Sequence, residues 1–325
     1  MIQDKYNRTF SYLRLSVTDI CNFRCSYCLP DGYKCVSKED HLSLDEIHNL
    51  ITAFAEIGIK KVRVTGGEPT IRKDLYDILS LISDINSIKS IALTTNGYKL
   101  PEILDKLILS GITKINISID SLNRKKFHEI TFHDRLNEIL AGIQELLKQQ
   151  ISVSTNVVLL KNINDMEIDD FIEFTKDKYL SLRFIELMRT NNNVNYLEKH
   201  YLNPIFIIDK LLTKGWQRQK RELLDGPAVK FTHPDYKGSI GIISPYSSGF
   251  CDSCNRLRVS SRGDLHLCLF GDQSSTISLR PYLQSSSQKE QLIATILDKL
   301  SLKKETHSLS DGYSGTTDQL ASIGG

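Results

Sequence analysis

Six of the seven cysteines in this 325-residue chain fall into two tight groups near its opposite ends. The first reads Cys21-Asn22-Phe23-Arg24-Cys25-Ser26-Tyr27-Cys28, a C-x3-C-x2-C spacing that lets a short loop surround one small metal centre. The second reads Cys251-Asp252-Ser253-Cys254 followed by Cys268, a C-x2-C-x13-C spacing. Each group supplies three thiolates, one fewer than a closed zinc site or an ordinary four-cysteine cluster uses. A 4Fe–4S cluster held by three cysteines keeps one iron open for a ligand, and that is the chemistry these groups predict. Zinc is the competing reading. Cys35 offers the first group a fourth ligand, and His266, two residues before Cys268 on the same strand face, offers one to the second. Disulfides fit poorly with an odd total.

The elements that must position these groups alternate in type. Strands are expected at Tyr12–Thr18, Lys61–Thr65, Ser90–Thr95, Lys114–Asp120, Val153–Leu160 and Leu182–Met188. Helices are expected between them at Ser43–Ile57, Asp74–Ser83, Pro101–Ser110, Arg135–Lys148 and Asp165–Lys176. Ser43 with Glu46 forms a capping-box signature, and Gly58 is a natural stop. Such alternation implies an α/β fold with a parallel sheet. Six units fall short of the usual eight, so an open, partial (β/α)6 TIM-type barrel is expected. Beyond the loop Asn191-Asn192-Asn193 come a helix near Ile205–Leu212, short strands from Ile240 to Leu269, and a helix over Glu290–Leu300. The boundary falls near residue 190: residues 1–190 form the partial barrel, and residues 191–325 carry the second cysteine group and close it.

Side chains alternate across a strand with period two, and here the two faces differ. One is apolar: Leu13, Leu15, Val17; Val62, Val64; Ile115, Ile117, Ile119. The other carries Arg14, Ser16, Thr18; Arg63, Thr65; Thr94, Asn96; Asn116, Ser118, Asp120. A solvated outer face is the ordinary explanation of a polar strand face. Helices flanking every strand should cover the outside, however. The polar set is therefore expected to line a lumen built for a polar, anionic ligand.

A net charge of +2 with 40% hydrophobic residues leaves room for a large core and implies no polyanion-binding stripe. Neither a membrane span nor the apolar core of a secretory signal is evident, which points to the cytoplasm, no membrane and no nucleic acid.

The C-x3-C-x2-C loop opening a strand–helix alternation, followed by Gly66-Gly67-Glu68-Pro69 after the second strand, resembles the radical S-adenosylmethionine (SAM) enzymes. The segment from Phe250 to Phe270, with Asn255-Arg256-Leu257-Arg258 inside it, is similar to the GTP 3′,8-cyclase family of molybdenum cofactor biosynthesis. The similarity extends through Leu13-Arg14-Leu15-Ser16-Val17-Thr18-Asp19, Thr94-Thr95-Asn96-Gly97, Lys161-Asn162-Ile163-Asn164-Asp165, Arg183-Phe184-Ile185-Glu186-Leu187-Met188 and the terminal Gly324-Gly325.

This resemblance implies two 4Fe–4S clusters, one on Cys21, Cys25 and Cys28 and one on Cys251, Cys254 and Cys268, with SAM on the first. It implies SAM contacts at Tyr27, Gly67, Ser118 and Met188. GTP contacts are implied at Arg14, Arg63, Thr94, Lys161, Arg256, Leu257 and Arg258, with Arg14, Arg256 and Arg258 catalytic. The implied reaction is reductive cleavage of SAM, hydrogen abstraction at C3′ of the GTP ribose, and closure onto C8 of the guanine. A flavodoxin or ferredoxin is the implied reductant and cyclic pyranopterin monophosphate synthase the downstream partner; a homodimer is a further expectation that no residue pattern fixes. The Gly-Gly tail is expected to reach into the site. Leu29 and Thr70 depart from the family pattern, Arg189–Tyr201 looks least like it, and Cys35 has no assigned role. Two other readings remain at this point. A peptide-modifying radical SAM enzyme would carry more C-terminal cysteines, and a zinc-stabilised binding protein would do no radical chemistry.

Overall fold

The computed structural model describes residues 2–33, 41–149, 151–222, 224–318 and 320–323, so Cys35 and Gly324-Gly325 lie outside the described residues. Six parallel strands form its centre: β1 (Tyr12–Ser16), β2 (Lys61–Thr65), β3 (Ser90–Thr95), β4 (Lys114–Ser118), β5 (Ser152–Leu159) and β6 (Leu180–Glu186). They lie side by side in chain order, as right-handed crossovers through helices dictate. The expected strands are all present, shifted by up to two residues at their ends.

The helices that cross between them are α1 (Leu44–Glu56), α2 (Leu75–Ser83), α3 (Leu100–Leu109), α4 (Arg124–Thr131), α5 (Leu136–Lys148) and α6 (Ile168–Phe174). At the start of α1 the Ser43 hydroxyl accepts from the Glu46 amide at 3.2 Å, and the Glu46 carboxylate accepts from the Ser43 amide at 2.8 Å. The expected helix at 165–176 begins as a 3-10 turn, Asp165–Glu167, before α6. Sequence reading missed α4, whose Arg-Lys-Lys-Phe-His-Glu run buries only Phe127, Ile130 and Thr131 and so shows no clear period. It also missed α7 (Val194–His200), which buries none of its residues.

The helices cover the apolar strand face. Leu13, Leu15, Val62, Val64, Ile115 and Ile117 are fully buried in one core with Leu50, Phe54, Ile78 and Ile143 from the helices. The polar face therefore turns inward, as expected.

The C-terminal region shares this sheet. After α8 (Ile205–Thr213) come β7 (Gln217–Arg218), β8 (Val229–Thr232) and β9 (Ser239–Ile243), then β10 (Arg256–Val259), β11 (Asp264–His266) and β12 (Thr276–Ser278), and finally α9 (Lys289–Ser301). The sheet order is β12-β11-β10-β1-β2-β3-β4-β5-β6-β9-β8-β7. Strands β9 and β10 are parallel to β6 and β1, so the C-terminal region raises six parallel strands to eight, one on each flank. It does not close the barrel by pairing: β9 and β10 pair onward with antiparallel strands, and β7 and β12 stand at opposite ends of the sheet order. The gap is spanned by polar contacts: Arg221 donates to the Ser253 carbonyl, Lys61 to Leu224 at 2.8 Å, and Asn255 to Asp225 at 3.2 Å. Among the described residues no helix is long and apolar enough to cross a membrane.

Candidate active site

Strand β1 links the two cysteine groups. At its N-terminal end Tyr12 is in register with Arg256, two residues after Cys254, and the Tyr12 amide donates to the Asn255 carbonyl at 3.2 Å. Beyond its C-terminal end the chain runs into Cys21. The four steps from Tyr12 to Ser16 span about 13 Å at about 3.3 Å per residue. The two groups thus belong to opposite ends of one lumen.

The first group is held by backbone pairing. Cys28 and Leu29 donate to the Cys25 carbonyl at 2.9 Å, while Arg24 and Ser26 donate to Thr131 and Ile130 at the end of α4. Gly66 and Gly67 press against the approach to the loop: a Cβ on Gly67 would sit 2.3 Å from the Ile20 carbonyl oxygen, and one on Gly66 (φ +146°) 2.2 Å from that of Thr18. Glycine here admits the chain's own backbone. Glu68 is fully buried and accepts from the Thr70 hydroxyl at 2.5 Å, Thr95 at 2.7 Å and the Asn96 amide at 2.7 Å. The departure at Thr70 therefore adds a hydrogen bond. Tyr27 donates to Asp120 at 2.8 Å, and Asp120 also accepts from the Val158 amide at 2.8 Å.

Electrostatics separate the two ends. Burial drives the Cys21 thiol up to about 12 and Cys28 to about 11, with Glu68 adding to the first and Asp120 to the second. Burial and Asp120 push Cys25 upward too. At the second group burial again opposes ionisation, but Arg256, Lys303 and Arg258 bring Cys254 down to about 6.

Between the ends lies a cavity of about 270 Å³ whose wall is cationic. Arg258, Arg14 and Arg63 sit directly side by side on β10, β1 and β2. Three adjacent guanidinium groups repel, and their burial is costly without an anion. Burial and neighbouring arginines accordingly depress Arg14 to about 10 and Arg258 to about 9. The Nε atoms of Arg256 and Arg258 are buried without a hydrogen-bond partner. Among the described lining residues Asp225 is the one carboxylate, set against Arg14, Lys61, Arg63, Lys114, Arg183 and others.

The site therefore brings together Arg14, Arg63, Met188, Arg256, Arg258, Cys251, Cys254 and Cys268. Thr94 stands one step back and accepts from Arg63 at 3.0 Å. Ser118 is half-buried at the end of β4, and Tyr27 stays with the first cysteine group. Two expected GTP contacts are not brought in. Lys161 is exposed on the loop after β5, and the Leu257 side chain lies fully buried in the outer core, because period two turns it away from Arg256 and Arg258.

Sequence reasoning missed Tyr12, Lys61, Lys114, Arg183 and His307 in the wall. The alternation contained the signal for four of them: Tyr12, Lys61 and Lys114 each sit two residues before a polar-face residue, and Arg183 lies between buried Leu182 and Phe184. His307 has no such mark. Its Nε2 has no partner, and its backbone amide serves the Cys251 sulfur.

The final described turn, Leu320–Ile323, reaches both cysteine groups. The Ala321 amide serves the Cys28 sulfur, while Leu320 and Ile323 pack with Met188, Cys268 and Phe270. Asn191 anchors this tail by accepting from the Ser314 hydroxyl at 2.8 Å and donating its amide to Thr317 at 3.1 Å.

The thiols fit clusters better than single ions. Among the described residues no three His, Cys, Asp or Glu side chains are arranged to hold one metal ion. Zinc needs its ligands to converge within about 2.3 Å of a point, whereas the irons of a cluster accept ligands at separate corners. His266, the extra ligand a zinc site would need, lines neither of the cavities that Cys251, Cys254 and Cys268 line.

Residues 15–175 match the Radical SAM superfamily and residues 180–309 match Molybdenum Cofactor Synthesis C. A GTP 3′,8-cyclase of Tolumonas auensis is 47% identical over 326 residues, covering 100% of this chain and 96% of that protein. One from Psychromonas ingrahamii is 49% identical over 323 residues, covering 99% and 95%. Among solved structures, SuiB of Streptococcus suis bound to S-adenosylmethionine superposes with a TM-score of 0.63 at 13% identity. That match covers 85% of this chain and 65% of that one, and it supports the fold alone. Radical SAM membership implies a 4Fe–4S cluster and SAM, and Cys21, Cys25 and Cys28 carry the spacing for it. Two matched segments in order, with 47–49% identity over nearly its whole length, place this chain in the GTP 3′,8-cyclase family of the radical SAM superfamily.

Proposed function

We propose that this chain cyclises GTP to (8S)-3′,8-cyclo-7,8-dihydroguanosine 5′-triphosphate, releasing 5′-deoxyadenosine and L-methionine, as the first step of molybdenum cofactor biosynthesis. The observation that carries the reading is the row of Arg258, Arg14 and Arg63 facing a cavity that the second cysteine group also lines. A triphosphate supplies far more negative charge than Tyr12 and Asp225 set against this wall, and arginine forks match phosphate oxygens.

When bound, the cluster at Cys21, Cys25 and Cys28 and its SAM supply one-electron, hydrogen-abstracting chemistry. The chain's own residues do the rest. Tyr27, Gly67, Ser118 and Met188 hold SAM, whose sulfonium and ammonium charges suit an end containing Glu68 and Asp120. Arg14, Arg256 and Arg258 grip the phosphates and polarise the base, and the orphaned Nε atoms supply donors for it. Arg63 adds a fourth guanidinium, oriented by Thr94. Cys251, Cys254 and Cys268 would hold a second 4Fe–4S cluster, whose open iron would supply a Lewis-acid site for the guanine. The tail at Leu320–Ile323 fills the space between the ends and keeps water from the reacting atoms.

Lys161 and the Leu257 side chain take no part in this assignment. In keeping with the sequence reading, the enzyme acts in the cytoplasm, draws electrons from a flavodoxin or ferredoxin, and passes its product to cyclic pyranopterin monophosphate synthase.

The test is anaerobic reconstitution with iron and sulfide, followed by SAM, dithionite and GTP. Deoxyadenosine formed only when GTP is present, with matching GTP loss, upholds the reading. Deoxyadenosine without GTP loss overturns the substrate.

A further inference from the structure

Lys303 is a buried lysine, 3% exposed, that the reaction as described does not use. Its ammonium donates to the Leu267 carbonyl, the residue before Cys268, and lies 5.5 Å from the centre of the Phe10 ring. Among the described residues no carboxylate is within ion-pair reach of it. Asp4 pairs with Arg8 at 2.7 Å and Asp272 with Lys304 at 2.7 Å, while Glu305, which lines the same small cavity as Lys303, makes no ion pair with it. One carbonyl and one ring do not offset the cost of burying an ammonium, which is several kcal/mol for an unpaired ion.

The place of this charge is specific. Cys251, Cys254 and Cys268 form a partition between the main cavity and a smaller one of about 50 Å³. Arg256 and Arg258 line only the main cavity, and Lys303 lines only the smaller one. The cysteines are thus flanked by cations on both sides. The near side is where the proposed substrate's phosphates would be gathered, whereas the far side is lined by none of Arg14, Arg63, Arg256 and Arg258.

We propose that Lys303 is the fixed counter-charge of the second metal centre, a positioning residue that raises its reduction potential. This rests on the reading that Cys251, Cys254 and Cys268 hold an iron–sulfur cluster. Three thiolates around a 4Fe–4S core of charge 2+ give a net charge of 1−, and one added electron makes it 2−. A buried cation alongside favours the more negative state. The far-side position keeps this effect in force whether or not the cationic wall is neutralised by a bound triphosphate.

The experiment uses the full chain with Cys21, Cys25 and Cys28 replaced by alanine, so that only the second centre can give a signal. Its midpoint is read by an EPR-monitored titration in the parent, Lys303→Met, Lys303→Arg and Lys304→Met, with iron and sulfide counted per chain. Lys303→Met should lower the ratio of reduced to oxidised cluster at fixed potential at least tenfold, a shift of about 59 mV to the negative for one electron. Lys303→Arg and the exposed Lys304→Met should stay near the parent. Loss of iron in Lys303→Met with retention in Lys303→Arg also upholds the proposal. An unmoved midpoint in an iron-replete Lys303→Met, or loss of iron in both Lys303 variants, overturns it. A parent with no iron at the second triplet overturns the cluster reading itself, and the proposal with it.

Discussion

The two ends of the lumen use the same ligand, a cysteine triplet, in opposite electrostatic settings. Around Cys21, Cys25 and Cys28 the buried charged groups are acids, Glu68 and Asp120, and every thiol is pushed upward. Around Cys251, Cys254 and Cys268 they are bases, Arg256, Arg258 and Lys303, which pull Cys254 to about 6 against its burial, although burial still raises Cys251. The difference follows the ligand each end is read to receive. A sulfonium and an ammonium are stabilised by carboxylates, and a triphosphate by guanidinium groups. A ligand of the wrong sign meets repulsion in a medium that screens poorly, so the lumen sorts its two substrates by charge as well as shape.

The sharpest way to break this comparison is to remove one charge from each end. Arg258→Met should weaken GTP binding by about 1.5–3 kcal/mol, roughly ten- to a hundredfold in Kd, and leave SAM binding unchanged. Asp120→Asn should weaken SAM binding and spare GTP. Calorimetry with each ligand separately decides, and equal losses of both ligands in either variant would dissolve the distinction.

An effect of comparable size is expected where the first end is held by backbone contact. Gly67→Ala sets a Cβ 2.3 Å from the Ile20 carbonyl, and we expect more than about 2 kcal/mol of destabilisation, read as a lowered denaturation midpoint. The same change at Gly226, where nothing lies within 4 Å, should be near neutral.

The mildest prediction concerns the cationic wall alone. Burial of the Tyr12 phenol opposes its ionisation, but Arg63, Arg14 and Lys61 prevail and lower it from the usual 10 to about 6. Arg63 donates to its oxygen at 2.5 Å, and the Lys61 ammonium sits 4.4 Å from the ring centre. A phenol ionised in the folded state but not in the unfolded one stabilises the protein fully above pH 10. That stability is lost as pH falls through about 6. Between those values the stability difference between the ligand-free protein and Tyr12→Phe should grow with pH by at most about 1.4 kcal/mol per unit. Denaturation midpoints of both at pH 6 and pH 8 check it. Parallel lines would show that Tyr12 stays protonated.

Thr70 shows how local reading can understate a residue. In the sequence it was a departure from a pattern, whereas in the structure its hydroxyl and amide both serve Glu68. Lys161 shows the reverse, since a matching motif did not carry its side chain to the cavity.

Much of the architecture was determined by sequence alone, because strand and helix periods, caps and cysteine spacings are short-range properties. Period two fixed which face of each strand would be polar, and helices on either side of each strand fixed that this face would turn inward. The ligand-bearing cysteines were legible for the same reason: three in a short loop must stay close whatever the fold. Only the tertiary structure decided what lies between distant segments. It set Arg258 beside Arg14 although 244 residues separate them, because β10 pairs with β1 on one side as well as with its chain neighbour β11 on the other. It placed Lys303 behind the second triplet, carried the Leu320–Ile323 turn to Cys28, and left Lys161 outside. Register between strands remote in sequence depends on the packing of the whole sheet, which no local pattern of residues encodes.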